Sequence, residues 1–233
     1  MSGTAAVPRA WRPSSPHVVP DPAQGPHLWL VTAPKPGEGL DLSVLDEGER
    51  DRAAALHRPA DRALYVAAHT ALRRVLGGYL GTAPARVALT RLPCPGCGGP
   101  HGRPAVTGPR GATVHFSLSH SGGLALLGVA ARPVGVDIER VPTRQMAEDV
   151  ASALHPSEQD ELAALPAASR ASAFARCWTR KEARLKATGE GVSNEALRAL
   201  HLGTGTHPAE PSGWRIEDIQ VPEGYTAACA VRR

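Results

Sequence analysis

FARCWTRKEARLKATGEG, residues 174–191, is the stretch on which the reading of this chain turns. At 3.6 residues per turn, Phe174, Trp178 and Leu185 share an apolar stripe, with Lys181 inside it and Glu182 and Lys186 together on its flank. An exposed Glu–Lys pair four apart adds only about 0.2–0.5 kcal/mol to a helix. The same charges at the edge of a buried stripe need a partner or a metal, because an ion out of water is otherwise too costly. The spacing predicts a helix from about Ala167 to Thr188, ended by Gly189 and Gly191.

A second acidic pair lies upstream in VGVDIERV (134–141). In a strand Val134, Val136 and Ile138 point one way, and Gly135, Asp137 and Glu139 the other. Asp and Glu are poor strand formers, and two carboxylates on one face repel unless a cation lies between them. A hard cation with oxygen ligands, Mg2+ above all, resolves the conflict; an edge strand exposing acids to water is the alternative. Just before it, TVHFSLSH (113–120) alternates, with Val114, Phe116 and Leu118 opposite His115, Ser117 and Ser119. Residues 119–123 form a hydroxyl-rich, glycine-ended turn, and LALLGVA (124–130) is the partner strand of a hairpin.

Further out the pattern is mixed. HLWLVTA (27–33) reads as a first strand ended by Pro34 and Pro36, and 40–56 as a helical region capped by Asp41 or Ser43. Residues 61–80 form an amphipathic helix with Leu64, Ala68, Leu72, Val75 and Tyr79 inward. Its other face carries Arg62, His69 and Arg73, with Arg74 nearby: a solvated row of bases, or a phosphate contact. Residues 86–92 suggest a short strand. CPGCGGPHGRP (94–104) follows, and Cys94, Cys97 and His101 look like three zinc ligands, whereas structural zinc takes four. A glycine-rich turn presenting Arg103 is the favoured reading. Helices are expected over 147–154 and 157–165, the second opening on a Ser157-x-x-Asp160 capping box, and a closing hairpin over 214–221 and 225–231.

Composition narrows the classes. The chain has 233 residues, 42% of them hydrophobic and only 4% aromatic, so an alanine-, leucine- and valine-packed, helix-rich core is expected. Its 22 prolines, 24 glycines and arginine-rich basic set suggest a high-GC genome. A net charge of +4 suits a phosphate-bearing ligand or an acidic protein partner and is too mild to demand nucleic acid. No apolar run approaches the roughly 20 residues of a membrane span, and there is no signal-peptide core. Four cysteines make no disulfide framework in a chain this long, so a cytoplasmic protein is expected. Residues 1–26, with six prolines, read as a flexible tail. Metal, bases and backbone donors together are the equipment for holding a pyrophosphate and transferring a phosphoryl-type group.

GVDIE (135–139) followed by WTRKEARLKATGEG (178–191) resembles the paired signature of the 4′-phosphopantetheinyl transferases: G-[IV]-D, then W-x-x-K-E-A with a further lysine four residues after the glutamate. HGRP (101–104) is similar to that family's G-[KR]-P element, and FSLSHS (116–121) to its serine–histidine turn. The order resembles the larger, surfactin-type branch, and the likeness covers roughly residues 55–195. It implies an α+β fold of two similar, pseudo-twofold-related lobes, 27–131 and 134–233, with the active site between them. The implied reaction moves the phosphopantetheine arm of coenzyme A to a serine of an apo carrier protein and releases 3′,5′-ADP, as a holo-[acyl-carrier-protein] synthase does.

By the same resemblance Asp137, Glu139 and Glu182 would hold Mg2+ with the pyrophosphate, and Glu182 would serve as base. Lys186 would meet a phosphate oxygen, and Lys181 would do so or brace the acids. Arg103, Ser119 and His120 would hold the nucleotide's phosphates, with Arg73 a weaker candidate; relatives carry an Arg near His69. The implied partners are acyl or peptidyl carrier proteins of polyketide and nonribosomal peptide synthases, served by a monomer in secondary metabolism, with no nucleic acid or membrane involved. Three rival readings stand beside it: a Mg2+-dependent phosphohydrolase or nuclease on Asp137, Glu139 and Glu182; a serine hydrolase on Ser119, His120 and Asp137; and a zinc-knuckle nucleic-acid binder on Cys94, Cys97 and His101.

Overall fold

The computed structural model describes residues 5–13, 19–35 and 37–233. In chain order these form β1 (Arg9–Ala10), β2 (His27–Thr32), α1 (Glu47–Ala54), α2 (Pro59–Leu80), β3 (Leu89–Arg91), β4 (Pro104–Val106), β5 (His115–Ser121), β6 (Leu124–Ala130), β7 (Val134–Arg140), α3 (Arg144–Val150), α4 (Pro156–Ala164), α5 (Ala167–Thr188), α6 (Asn194–Ala199), β8 (Trp214–Asp218) and β9 (Tyr225–Arg232). The fold is α+β, as expected. One sheet runs β1-β2-β6-β5, a second β7-β9-β8, and β3-β4 stand apart as a two-stranded ribbon.

The two larger sheets meet over apolar side chains. Leu28, Leu124 and Leu126 of the first pack against Val134, Val136, Ile138, Ala227 and Cys229 of the second. On the first sheet's other face, α2 lays Leu72, Val75, Leu76 and Tyr79 over Trp29, Phe116, Leu127 and Val129. In the second sheet, α5 covers β7 and β9, and Ala183 and Ala187 meet Ala228 and Ala230. Small residues on both sides let helix and sheet come close. The closest point is Gly135: a Cβ there would lie 2.5 Å from the Ala187 amide nitrogen and closer still to the Ala183 carbonyl. The glycine of GVD therefore permits α5 to lie on the face of β7 that carries Asp137 and Glu139.

The boundaries of α5 are those its pattern predicts, and α2 begins only two residues early, with Pro59 in its first turn. Other expectations change. The first helix starts at Glu47, because Asp46 makes a reciprocal capping box with Glu49 while Asp41 instead holds Ser43 and Arg74. His155, not Ser157, caps α4, its ring accepting from the Ser157 amide. Strand β4 and helix α6 went unpredicted, both being short. Residues 5–13 and 19–26 do not hang free: Arg9 and Ala10 pair in parallel with Trp29 and Leu30, Ala6 bridges Ile219, and Trp11 and Val19 pack on the core. The proline count misled because an edge strand needs few donors. Residues 1–4, 14–18 and Pro36, the expected strand terminator, lie outside the described residues.

Candidate active site

Strands β5 and β7 present the first part of the site. Ser117, Ser119 and Ser121 share one face of β5 and all bond to β7: Ser117 Oγ accepts from the Val136 amide (3.1 Å), Ser119 Oγ donates to Asp137 Oδ1 (2.7 Å), and Ser121 Oγ donates to Glu139 Oε2 (2.8 Å). The serine alternation thus positions both acids. From α5, Glu182 accepts from Trp178 Nε1 (2.9 Å), one helical turn earlier. Lys186 Nζ donates to Asp137 Oδ1 (2.5 Å) and Ser119 Oγ (2.9 Å) and lies 3.4 Å from Glu182 Oε2. Two carboxylates from two elements, Asp137 of β7 and Glu182 of α5, therefore meet at one lysine, with Glu139 two residues further along β7.

That charge balance is short by at least one cation. Asp137 is fully buried, and its Oδ2 has no hydrogen-bond partner among the described residues. Burial first, and then the charge of Asp137, pushes the Glu182 carboxyl above its ordinary range. Burial likewise raises Glu139, reinforced by the charges of Asp137 and Glu182 against the Ser121 hydrogen bond. Burial works against a charged Lys186, but Asp137 and Glu182 outweigh it and raise its pKa. An orphaned buried carboxylate oxygen, whose charge opposes the ionisation of Glu139 and Glu182 nearby, supplies the oxygen-donor chemistry that a small divalent cation takes.

Beside this cluster runs a cleft. One part is lined by Arg91, His101, Arg103, Phe116, Ser117 and Lys186, and it continues past Pro104 and Leu118 to His69 and His120. Arg103 is half-buried, lies 2.9 Å from His115 Nδ1, and has its pKa lowered by burial with no acid opposing it. A cation held out of water without an acid is a receptor for an anionic ligand. His120 is also shifted down, by desolvation and the nearby Lys186 charge, so it is neutral at pH 7. On the far side of Glu182 a second, more apolar hollow of about 590 Å³ is lined by Val141, Met146, Val150, Phe174 and Trp178.

A family model described as the 4′-phosphopantetheinyl transferase superfamily matches residues 133–229, the part that carries β7 and α5. Over 215 residues the chain is 34% identical to the 4′-phosphopantetheinyl transferase HetI of a Nostoc species, spanning 88% of this chain and 86% of that protein. The chain belongs to the 4′-phosphopantetheinyl transferase superfamily. A putative 4′-phosphopantetheinyl transferase of Synechocystis is 29% identical over 170 residues, 72% of this chain and 66% of that one. The 4′-phosphopantetheinyl transferase Sfp of Bacillus subtilis is 29% identical over 94 residues, 40% of each chain. None of these names supports the phosphohydrolase reading.

Three residues expected to bind the transferase's ligand are engaged elsewhere: Arg73, Lys181 and Ser119, the last buried with its hydroxyl held by Asp137 and Lys186. Arg73 is buried to 1% exposure, bonded to Asp46, Glu49 and the Val87 carbonyl. It acts at one remove: Glu49, which it holds, also accepts from His69 (2.9 Å), whose ring stacks on Tyr65 at the cleft. Lys181 is fully buried, 2.6 Å from the equally buried Glu158, and caps the carbonyls of Leu197 and Leu200. It braces the end of α6 against α5 and touches no carboxylate of the site. Neither partner lies within helical reach in sequence, so no local pattern exposes the pairing. Ser119 and His120, adjacent in the chain, point apart: the Ser119 hydroxyl serves Asp137 and Lys186, which removes the serine-hydrolase arrangement. Sequence reading took Trp178 as core and left Ser121 in a turn; both position a site carboxylate. A Trp four residues before a Glu on one helix was the available signal.

Proposed function

We propose that this transferase moves the 4′-phosphopantetheine arm of coenzyme A to a serine of an apo acyl or peptidyl carrier protein, releasing 3′,5′-ADP. The observation that carries the reading is the buried Asp137, with one oxygen unpartnered, set between Glu139, Glu182 and Lys186 beside a cleft whose Arg103 lacks an acid. Asp137, Glu139 and Glu182 would hold Mg2+, which supplies neutralising charge to the pyrophosphate. Arg103 orients the nucleotide phosphates, with His120 at the mouth of the cleft. Lys186 carries charge that can turn from Asp137 to a phosphate oxygen as the P–O bond to the leaving 3′,5′-ADP breaks. Glu182 accepts the proton of the carrier serine as that oxygen forms the new bond to phosphorus. Trp178 and Ser121 hold Glu182 and Glu139 in place.

The finer reading is a surfactin-type enzyme acting as a monomer, with one lobe in 27–131 and the other in 134–233, serving carriers of polyketide or nonribosomal peptide synthases. A carrier range broader than one acyl carrier protein fits the relatives, and the apolar hollow at Met146, Val150 and Phe174 offers an extended chain a dry path to Glu182. No helix among the described residues is long and apolar enough to cross a membrane.

The test mixes the protein with an apo carrier protein, coenzyme A and MgCl2 and weighs the carrier by intact-protein mass spectrometry. One phosphopantetheine should be gained, and the gain should vanish with Glu182→Gln or EDTA. No gain across several unrelated carriers, together with no coenzyme A binding, would overturn the proposal.

A further inference from the structure

The turn CPGCGGPHGRP between β3 and β4 places Arg103 in the cleft, but the reaction leaves its two thiols and His101 without a role. We propose that Cys94, Cys97 and His101 bind a zinc ion. Their ligand atoms all lie within 4.8 Å of one another, and Cys97 Sγ is 3.0 Å from His101 Nε2. In tetrahedral zinc, with bonds of about 2.0–2.3 Å, ligand atoms stand about 3.5–3.8 Å apart, so small side-chain rotations close the set. Two thiolates and an imidazole are the soft and borderline donors that favour zinc over Mg2+.

The backbone is already bent to this purpose. Gly98 donates to the Cys94 carbonyl (2.8 Å) and Cys94 to that of Gly99 (2.7 Å), with Gly98 at φ +73°. This tight loop turns both sulfurs to one side. Gly99 keeps the space between them open: a Cβ there would lie 2.9 Å from the His101 ring and 3.4 Å from Cys97 Sγ. Cys94 is buried while Cys97 and His101 are exposed, so the ion sits at the surface with its fourth position open to water. Hydrogen bonds tie the base of the turn, from the Leu92 amide to the Arg103 carbonyl and from the Gly102 amide to the Leu92 carbonyl, while Cys97 and His101 lie exposed beyond them. The ribbon has three residues per strand, and isolated ribbons of that size are marginal. A metal clip would therefore stiffen the turn next to Gly102 and Arg103, and through them one wall of the cleft; that consequence, unlike the zinc site itself, rests on the transferase reading.

The experiment measures metal in the full-length protein, reduced, offered stoichiometric Zn2+ and desalted, by inductively coupled plasma mass spectrometry. About one zinc per chain is expected, retained in Glu182→Gln but lost in Cys97→Ser and His101→Ala. Both substituted side chains are exposed, and circular dichroism checks that the variants stay folded. Co2+ in place of zinc should give a sulfur-to-cobalt charge-transfer band that Cys97→Ser lacks. Zinc loss should also raise the KM for coenzyme A several-fold with kcat little changed. No retained zinc, or equal zinc in the Cys97 and His101 variants, would overturn the site. If the transfer assay fails for every carrier, metal content and the cobalt band still decide it.

Discussion

Asp137 cannot be understood without the residues that leave it incomplete. Lys186 and Ser119 satisfy Oδ1, no described residue satisfies Oδ2, and the charge of Asp137 opposes that of Glu139 and Glu182 nearby. The folded state therefore resists full ionisation of Glu139 and Glu182. For a carboxyl whose folded pKa is raised, the unfolded chain ionises more readily, so the group lowers stability above the raised pKa and has no effect below about pH 4.5. Glu182→Gln should thus raise the melting temperature of metal-free protein at pH 7, by about 2–4 °C for each 1 kcal/mol relieved. The gain should fade as pH falls toward 4.5, and differential scanning fluorimetry across pH reads it directly. Turnover should meanwhile drop by about 100-fold or more. Lys181 predicts the opposite pair of outcomes. Lys181→Met strands a fully buried Glu158 and should cost about 3–5 kcal/mol in urea unfolding, with the KM for coenzyme A of the folded enzyme unchanged.

The central element is α5, and its value to the site comes from how closely it lies on β7. Ala183 and Ala187 face Ala228 and Ala230, and Gly135 removes the last obstacle. Gly135→Ala should force the helix off the strand, lower the melting temperature by several degrees, and separate Glu182 and Lys186 from Asp137. Activity should then fall further than the folded fraction, which activity per folded molecule, read from near-ultraviolet circular dichroism, would separate. The extent of α5 was legible because its apolar period runs unbroken to two glycines. Its partners were less legible. Arg73 sits on a helix face that looked solvated, yet Asp46 and Glu49, the cap and first turn of α1, cover it. Helical periodicity assigns a face; it does not say whether another segment lies on top.

Across the whole molecule the N-terminal segment joins what the chain order keeps apart. Ala6 bridges Ile219 at the end of the second sheet, while Arg9 and Ala10 extend the first at β2, and the Trp11 amide donates to the Leu30 carbonyl. Deleting residues 1–13 should therefore lower the melting temperature by about 4–8 °C, the equivalent of about 2 kcal/mol, although none of the described residues 5–13 touches the carboxylates. Thermal unfolding of the truncated and full-length chains compares them. A proline-rich composition predicted a free tail here, because prolines remove donors; an edge position needs only some of them.

The sequence by itself determined the α+β class, the helix 167–188 and the strands from 115 to 140, and it singled out Asp137, Glu139 and Glu182 as candidates, because period and residue chemistry are local and each motif states its own face. Tertiary structure alone decided which charges are free. Lys181 and Lys186 stand five apart on one helix, one sealed against Glu158 and the other turned to the site. Arg73 and Arg103 differ in the same way, one saturated by acids and one without any. A charge becomes structural or functional according to what long-range packing places beside it, and burial sets the cost of leaving it alone.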